Sequence, residues 1–281
     1  MLQALWSLGF AGLARLRPTR PRAWASPGGA RVLVVAAHPD DEVAGCAGTL
    51  LRHRRAGDAV IVAVATDGRR SRALGLDPAA MSATRRREAE AVAARLDVEL
   101  RWIGLPEGEW SEEALRAGLG AALEQLAPTL VYAPSAVDFH PEHAAVARCL
   151  AAVLDAGSPL PVRVYPVQVP LTSRLVNLVS RVGDVLPVVA EAMDAYGSQT
   201  VSLRRCLRAR AYAGARHALG EAAEELWEMT AAEYRRLHGS LESVAGRFRG
   251  LRYHALTDPL AYLAGRRERG RLRDRLSGRG T

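Results

Sequence analysis

From residue 30 onward five short strand-compatible stretches alternate with helix-compatible ones, and no other feature of the chain constrains its fold as strongly. Val32 to Ala37 and Ala59 to Ala65 are apolar throughout, Val98 to Ile103 carries Glu99 and Arg101 among its apolar residues, Thr129 to Ala133 is apolar after its first residue, and Val162 to Val167 carries Arg163. Unbroken apolar character over a strand's length is the signature of a strand buried on both faces, as in a parallel sheet sandwiched between helices. Between the runs, Val43 to Ala56 reads as a helix closed by Gly57, and Thr84 to Leu96 as an amphipathic helix carrying Arg and Glu. Ser111 caps a helix with Glu112 and Glu113 in its first turn that runs to about Leu126, and Glu142 to Leu154 supplies a fourth. Repeated β-α units predict an α/β fold with a mostly parallel sheet and helices on both faces.

A chain of 281 residues buries an adequate core without disulfides. Cys46, Cys149 and Cys206 are odd in number and far apart, which argues against a secreted disulfide framework and for a reducing cytoplasm. The formal charge of +8 comes from the ends. Residues 1–31 hold five Arg and no acid, residues 266–279 hold seven Arg against Glu268 and Asp274, and the 26 Arg in between meet 28 acids. A body without basic excess is not a nucleic-acid-binding face. The apolar stretch at 2–14, followed by Arg15 and Arg17, is too short to span a bilayer core of about 30 Å and has its charge on the wrong side for a secretory signal. It reads as a short helix that docks on the body or on a membrane surface, where the Arg-rich tail would add attraction to anionic lipid. Pro18, Pro21, Pro27, Gly28 and Gly29 read as a linker.

In such sheets ligands bind outside the carboxyl ends of the strands, near the point where strand order reverses. Directly after the first run stands Ala36-Ala37-His38-Pro39-Asp40-Asp41-Glu42, and after the fourth Ser135-Ala136-Val137-Asp138-Phe139-His140-Pro141-Glu142-His143. Both clusters therefore emerge on one edge. Taken singly, Asp40 or Asp41 can cap the next helix and Glu142 can favour a first turn. Three of the seven histidines arriving at two strand ends among five carboxylates point instead to a metal, held by three protein ligands with one position open to water.

His-Pro-Asp-Asp-Glu followed by His-Pro-Glu-His resembles the PIG-L/LmbE-like family of zinc-dependent deacetylases, which act on N-acetylglucosaminyl and related amides. The resemblance continues through Thr66-Asp67-Gly68, the helix at 85–98, Gly104 to Trp110 and Tyr196 to Gln199, covering about 30 to 235. It implies a Rossmann-like three-layer sandwich, with an apolar and basic segment plus linker at 1–29, the deacetylase domain at 30–235, and an extension with the Arg-rich tail at 236–281. It further implies one Zn2+ held by His38, Asp41 and His143, Asp40 as general base, His140 as the residue that stabilises the oxyanion or assists the leaving amine, and Arg85 as a substrate contact. The division is chemically sound: zinc lowers the pKa of bound water from about 15.7 to about 7, so the base need only take up a proton. A protonated His140 would face the oxyanion, with Asp138 either holding it charged or shaping the loop. Glu42 either supports a ligand or begins the helix, and Trp110 either stacks on a sugar or packs.

The activity so implied is removal of an N-acetyl group from an N-acetylglucosamine-type conjugate by metal-activated water. A two-metal phosphoesterase, or a hydrolase of another small amide, is the alternative. A binding module would be expected to have lost Asp40 or a ligand, and none is lost. Glu142 stands where the family usually has Asp. After residue 160 Tyr165 lacks the acid that often follows it and the stretch 186–196 lacks a common Lys, so the pocket wall that reads the aglycone diverges. His217, His238 and His254, outside both clusters, are expected to pack or face solvent.

Overall fold

The computed structural model describes residues 20–241 apart from 137, 139, 169–170 and 172–174. Strands β1 (Arg22–Trp24), β2 (Arg31–Ala36), β3 (Ala59–Thr66), β4 (Glu99–Leu105), β5 (Leu130–Pro134), β6 (Pro161–Tyr165), β7 (Leu178–Arg181) and β8 (Ala223–Thr230) form one sheet in the order β1-β7-β8-β6-β5-β2-β3-β4. All neighbours run parallel except β8, which is antiparallel to both β6 and β7. The helices are α1 (Asp41–Gly45), α2 (Ala47–Arg55), α3 (Pro78–Leu96), α4 (Glu112–Leu126), α5 (Pro141–Val153), α6 (Leu186–Ala195), α7 (Thr200–Arg216) and α8 (Ala231–Leu241).

Successive side chains of β2 show why its run is unbroken. Leu33 and Val35 pack with Leu115, Leu119, Val146, Leu150 and Tyr234 of α4, α5 and α8. Val32, Val34 and Ala36 pack on the opposite face with Leu50 of α2, and Val43, Val92 and Met193 continue that layer across α1, α3 and α6. Both faces are dry, which gives the three-layer α/β sandwich that the pattern predicts. The chain leaves β2 toward β3 and β4 in one direction and returns to build β5 and β6 in the other. Leu33 pairs with Val131 and Val34 with Tyr132, so the carboxyl ends of β2 and β5 lie side by side at the switch point.

Several elements differ from the sequence-based expectation. Residues 22–24, expected within a linker, form β1 against β7: Trp24 is buried on the His53 ring at 4.4 Å, and Ser26 donates to Asp58. α3 begins at Pro78, because Asp77 accepts from the amides of Ala79 and Ala80 and Pro78 suits a first turn. The single helix expected over Val43 to Ala56 is broken at Cys46 (φ −147°). A buried ion pair fills the break. Arg210 of α7 donates to the Val43 and Ala44 carbonyls at 2.8 and 3.2 Å, ending α1, while Glu224 of β8 accepts from the Gly48 and Thr49 amides at 3.0 and 2.7 Å, starting α2. The two side chains meet at 2.6 Å. The apolar stretch at 2–14, the Arg-rich tail and His254 lie outside the described residues. Among the described residues no helix is long and apolar enough to cross a membrane.

Candidate metal centre and active site

The β2–α1 and β5–α5 connections and the first turns they lead into bring three candidate ligand atoms together. His143 Nε2 lies 3.2 Å from His38 Nδ1 and 3.2 Å from Asp41 Oδ1, and His38 Nδ1 is 3.6 Å from the second Asp41 oxygen. Tetrahedral zinc with bonds of about 2.0–2.1 Å needs ligands about 3.3 Å apart, so the spacings of His143 Nε2 from His38 Nδ1 and from Asp41 Oδ1 fit an ion, and ring nitrogens of His38, His140 and His143, within 4.8 Å of one another, could hold one as well. The far end of each ligand is engaged elsewhere. Asp41 Oδ2 accepts from the Ala37 and His38 amides at 2.9 and 2.8 Å, leaving Oδ1 free. His38 Nε2 is 2.6 Å from Glu142 Oε2, leaving Nδ1 free. His143 Nδ1 is 3.2 Å from Asp138 Oδ1, too oblique for a good hydrogen bond but close enough to favour a proton on Nδ1, so that Nε2 carries the free lone pair.

The electrostatics ask for a cation at the same point. Burial, which lowers a histidine pKa, is outweighed at His38 by Asp41 and Glu142, which raise it to about 9. At His143 burial is likewise outweighed by Asp41 and Asp138, and the shift is well upward. Asp41 moves the other way: burial is overcome by both histidines and its carboxyl is held well below the ordinary range.

Asp40 sits beside these atoms with φ 121°, a strained conformation for a non-glycine residue. Glu42 accepts the Asp40 amide at 3.2 Å through Oε2 and the Tyr196 hydroxyl at 2.7 Å through Oε1. Glu42 thus braces the loop at Asp40, and it does so from the first turn of α1. Burial pushes the Asp40 carboxyl up to about 6, against the pull of Arg85, whose guanidinium is 2.9 Å from Oδ1. Arg85, implied by the resemblance to contact substrate, is buried, donates to the Pro39 carbonyl and pairs with Asp40 while still lining the pocket. It can reach there because Gly68 (φ 65°) has no Cβ, which would stand 2.8 Å from Arg85 Cδ.

His140 lies across from the ligands, its ring 4.5 Å from that of His38. The imidazolium expected there does not fit. Burial, then the neighbouring His38 and His143, push its pKa down to about 3. Its Nδ1 accepts the Glu142 amide at 3.3 Å, capping α5, which assigns the neutral Nε2–H tautomer. Asp138 touches the backbone of His140, accepting its amide at 3.1 Å, and puts its carboxylate on the His143 ring instead. A further amide, from Gln168 at 3.0 Å, fixes Asp138 in the loop.

Glu142 and the loop after β4 carry functions that the motifs alone do not reveal. Besides orienting His38, Glu142 accepts the Gly108 amide at 2.8 Å and the Trp110 indole at 2.7 Å. Trp110 is therefore a packing and hydrogen-bonding residue that aims Glu142. Thr66 ties the end of β3 to the Ala37 carbonyl at 2.8 Å, and Asp67 accepts the Glu107 amide at 3.1 Å. Ser198 bonds Glu88 of α3 at 2.6 Å, and Gln199 reaches Ser71 at 2.8 Å. The result is a pocket of about 250 Å³ lined by His38, Asp40, Asp41, His140 and His143 on its floor and by Arg70, Ser71, Gln168 and Gln199 on its walls. His217, on Glu225 at 2.8 Å, and His238, on the Tyr234 ring at 4.5 Å, are packing histidines.

This arrangement, a polar pocket at the switch point of a largely parallel sheet, fits the class of α/β proteins that bind a small molecule at the carboxyl ends of their strands. Residues 33–154 match the PIG-L family, described as GlcNAc-PI de-N-acetylase, and the resemblance seen in the two motifs holds. Among solved structures, the conserved protein TT1542 from Thermus thermophilus is 27% identical over 71% of this chain and 94% of its own, with a TM-score of 0.61. The N,N'-diacetylchitobiose deacetylase from Pyrococcus horikoshii is 22% identical over 83% of this chain and 95% of its own, with a TM-score of 0.61. GalB, the 4-carboxy-2-hydroxymuconate hydratase from Pseudomonas putida, is 18% identical over 70% and 95%, with a TM-score of 0.59. At such identities the last two establish the fold alone, and the hydratase among them shows that the scaffold hosts more than one reaction. No curated protein sequence matches the chain.

Proposed function

We propose that the protein is a metal-dependent amidohydrolase that removes the N-acetyl group from an N-acetylglucosamine-type conjugate. The observation that carries this reading is the set of three anchored side chains in which His143 Nε2 lies at an ion-sharing distance from both His38 Nδ1 and Asp41 Oδ1, directly beside Asp40. His38, Asp41 and His143 would hold a zinc or similar divalent ion, which when bound supplies Lewis-acid activation of water and of the amide carbonyl. Asp40, partly exposed to the pocket, takes the proton of the attacking water and returns it to the departing nitrogen. Arg85 holds that carboxylate in place, and Glu42 holds the strained backbone beneath it. His140 donates its neutral Nε2–H to the developing oxyanion, a role that needs no positive charge. The family's description and a chitobiose deacetylase on the same fold support the acetylated sugar as substrate.

The test is acetate release from a panel of N-acetylhexosamine conjugates by metal-loaded protein, with bound metal counted in parallel. Acetate with one ion per chain is the expected result. The groups His38, His140 and His143 and His38, Glu107 and Glu142 could each hold an ion, and two ions with phosphate-ester cleavage would turn the reading to a phosphoesterase. We also propose a cytoplasmic protein whose terminal segments hold it reversibly to anionic membranes, which vesicle co-sedimentation at low and high salt reads.

A further inference from the structure

The pocket has two kinds of wall. Arg70, Ser71, Gln168 and Gln199 make one side polar, whereas Ala44 of α1, Val167 after β6, and Leu203 and Cys206 of α7 make the other apolar. Val167, Leu203 and Cys206 are fixed by burial, at 7%, 3% and 7% exposure, and Ala44 packs into one apolar layer with Leu203 and Cys206. The Ala44 carbonyl accepts from Arg210 at 3.2 Å, which ties α1 to α7 at this point. The apolar side begins at the reacting atoms, because Ala44 is one helical turn from Asp41 on α1. It also continues beyond the pocket. Ala44 is a wall of a second cavity, of about 30 Å³, lined by Gly45, Pro166, Ala209 and Ala213. Leu203, Cys206, Arg210 and Ala213 recur at three- and four-residue spacing, so the two cavities follow one face of α7.

A hydroxyl-rich sugar fits the polar side, while an acetyl group offers the apolar side a single methyl. Four apolar side chains from three segments cover more than one methyl, and with acetyl alone the rest of that wall stays against water. We propose that this recess receives the acyl chain of the substrate and that the chain is longer than acetyl, so that the protein hydrolyses short- to medium-chain N-acyl amides of a sugar. This rests on the amidohydrolase reading and widens its acyl group. The reaction keeps its form. Water adds to the acyl carbon, the C–N bond breaks, and a carboxylate and a free amine leave; one water proton passes through Asp40 to the nitrogen and the second is lost as the acid ionises. The direction of the chain follows from the floor: the carbonyl carbon lies at Asp40, and the apolar side opens next to it at Ala44.

A series of N-acylglucosaminides with one common aglycone and acetyl, butyryl or hexanoyl chains tests it in metal-loaded protein, with the released carboxylate as readout. Each methylene group buried should raise kcat/KM about fourfold, so butyryl should exceed acetyl by roughly fifteenfold. Cys206→Leu fills the recess and should bring that ratio to one or below. Ala209→Leu, at a half-buried position, narrows only the second cavity and should lower hexanoyl relative to butyryl. A wild-type rate highest for acetyl, or a butyryl-to-acetyl ratio unchanged by Cys206→Leu, overturns the inference while leaving deacetylation standing. Should Cys206→Leu fail to fold, the hexanoyl-to-butyryl ratio in Ala209→Leu decides instead, a fall supporting the recess and no change overturning it. If no member of the series is cleaved, the activity reading falls, and calorimetric binding of acetate, butyrate and hexanoate to the same proteins still decides the recess. Affinity that rises with chain length in the wild type and is flat in Cys206→Leu supports it, and equal or absent binding overturns it.

Discussion

Replacing Arg210 with methionine tests whether the buried ion pair at the α1–α2 break sets the active site from behind. Arg210 and Glu224 side chains are only 3% and 1% exposed, so water cannot compensate for the loss of either. Arg210→Met removes the 2.6 Å ion pair and the donors to the Val43 and Ala44 carbonyls, and strands the Glu224 carboxylate among the Gly48 and Thr49 donors. Stranding a buried charge in this way costs about 3–5 kcal/mol. At about 2–4 °C per kcal/mol for a domain of this size, thermal unfolding should fall by roughly 6–20 °C. Glu224→Gln keeps a carbonyl acceptor for the α2 amides and should cost less. The double variant should be more stable than the sum of the two single losses by about 1.5 kcal/mol or more, because the stranded charge is gone. Since α1 opens with Asp41, Arg210→Met should also weaken metal binding, read by titration on the folded protein below its transition. Two single losses each under about 1 kcal/mol that simply add would refute the argument, showing that α1 and α2 are held by packing alone.

His38→Ala, Asp41→Ala and His143→Ala should each take bound metal below one ion per chain with native circular dichroism, and full occupancy in all three would remove the ligand assignment. Asp40→Asn preserves shape but cannot accept the proton, so it should keep the metal and lose about a hundredfold or more in turnover; near-native turnover would move the base elsewhere. Burial, and after it Arg148, push the His238 pKa down from 6.5 to about 4. Between those values the unfolded chain binds the extra proton, so the stability that neutral His238 preserves is complete above about pH 6.5 and falls by about 3 kcal/mol on acidification to about pH 4. His238→Leu should flatten that part of the stability curve in denaturant titrations, and identical pH slopes in both proteins would contradict the assignment.

The parallel core was legible because β2, β3 and β5 are dry on both faces, and such strands can only be written as unbroken apolar runs. Both ligand loops were legible for the same reason, since each begins where a run stops. β7 and β8 were not. β8 carries Glu224 and Glu225, which are buried only because Arg210, Arg216 and His217 reach them from α7 and its end, and no local pattern announces such pairing. Within the site, residue types gave the chemistry but not the partnerships. Asp138 lies two residues from His140, yet the loop turns its carboxylate onto His143. Glu142, readable as a first-turn acid, is the partner of His38 across a separation of 104 residues. Arg85 stands among three successive arginines, and only the path opened at Gly68 selects it.

The pairing of β2 with β5 has a kinetic consequence. His38 and Asp41 follow one strand and His143 follows the other, with the whole β3–β4 excursion of the chain between them, so the ligand set does not exist until a loop of about a hundred residues has closed. Contacts of such sequence separation form slowly. An ion held by these residues therefore could not nucleate this chain, as it does in short zinc modules whose ligands lie close in sequence. It would arrive at a finished sheet and act afterward, by mass action, as a brake on unfolding. During refolding, metal uptake should trail the burial of Leu33 and Val131, so the rate of metal capture clocks the closing of the sheet's centre.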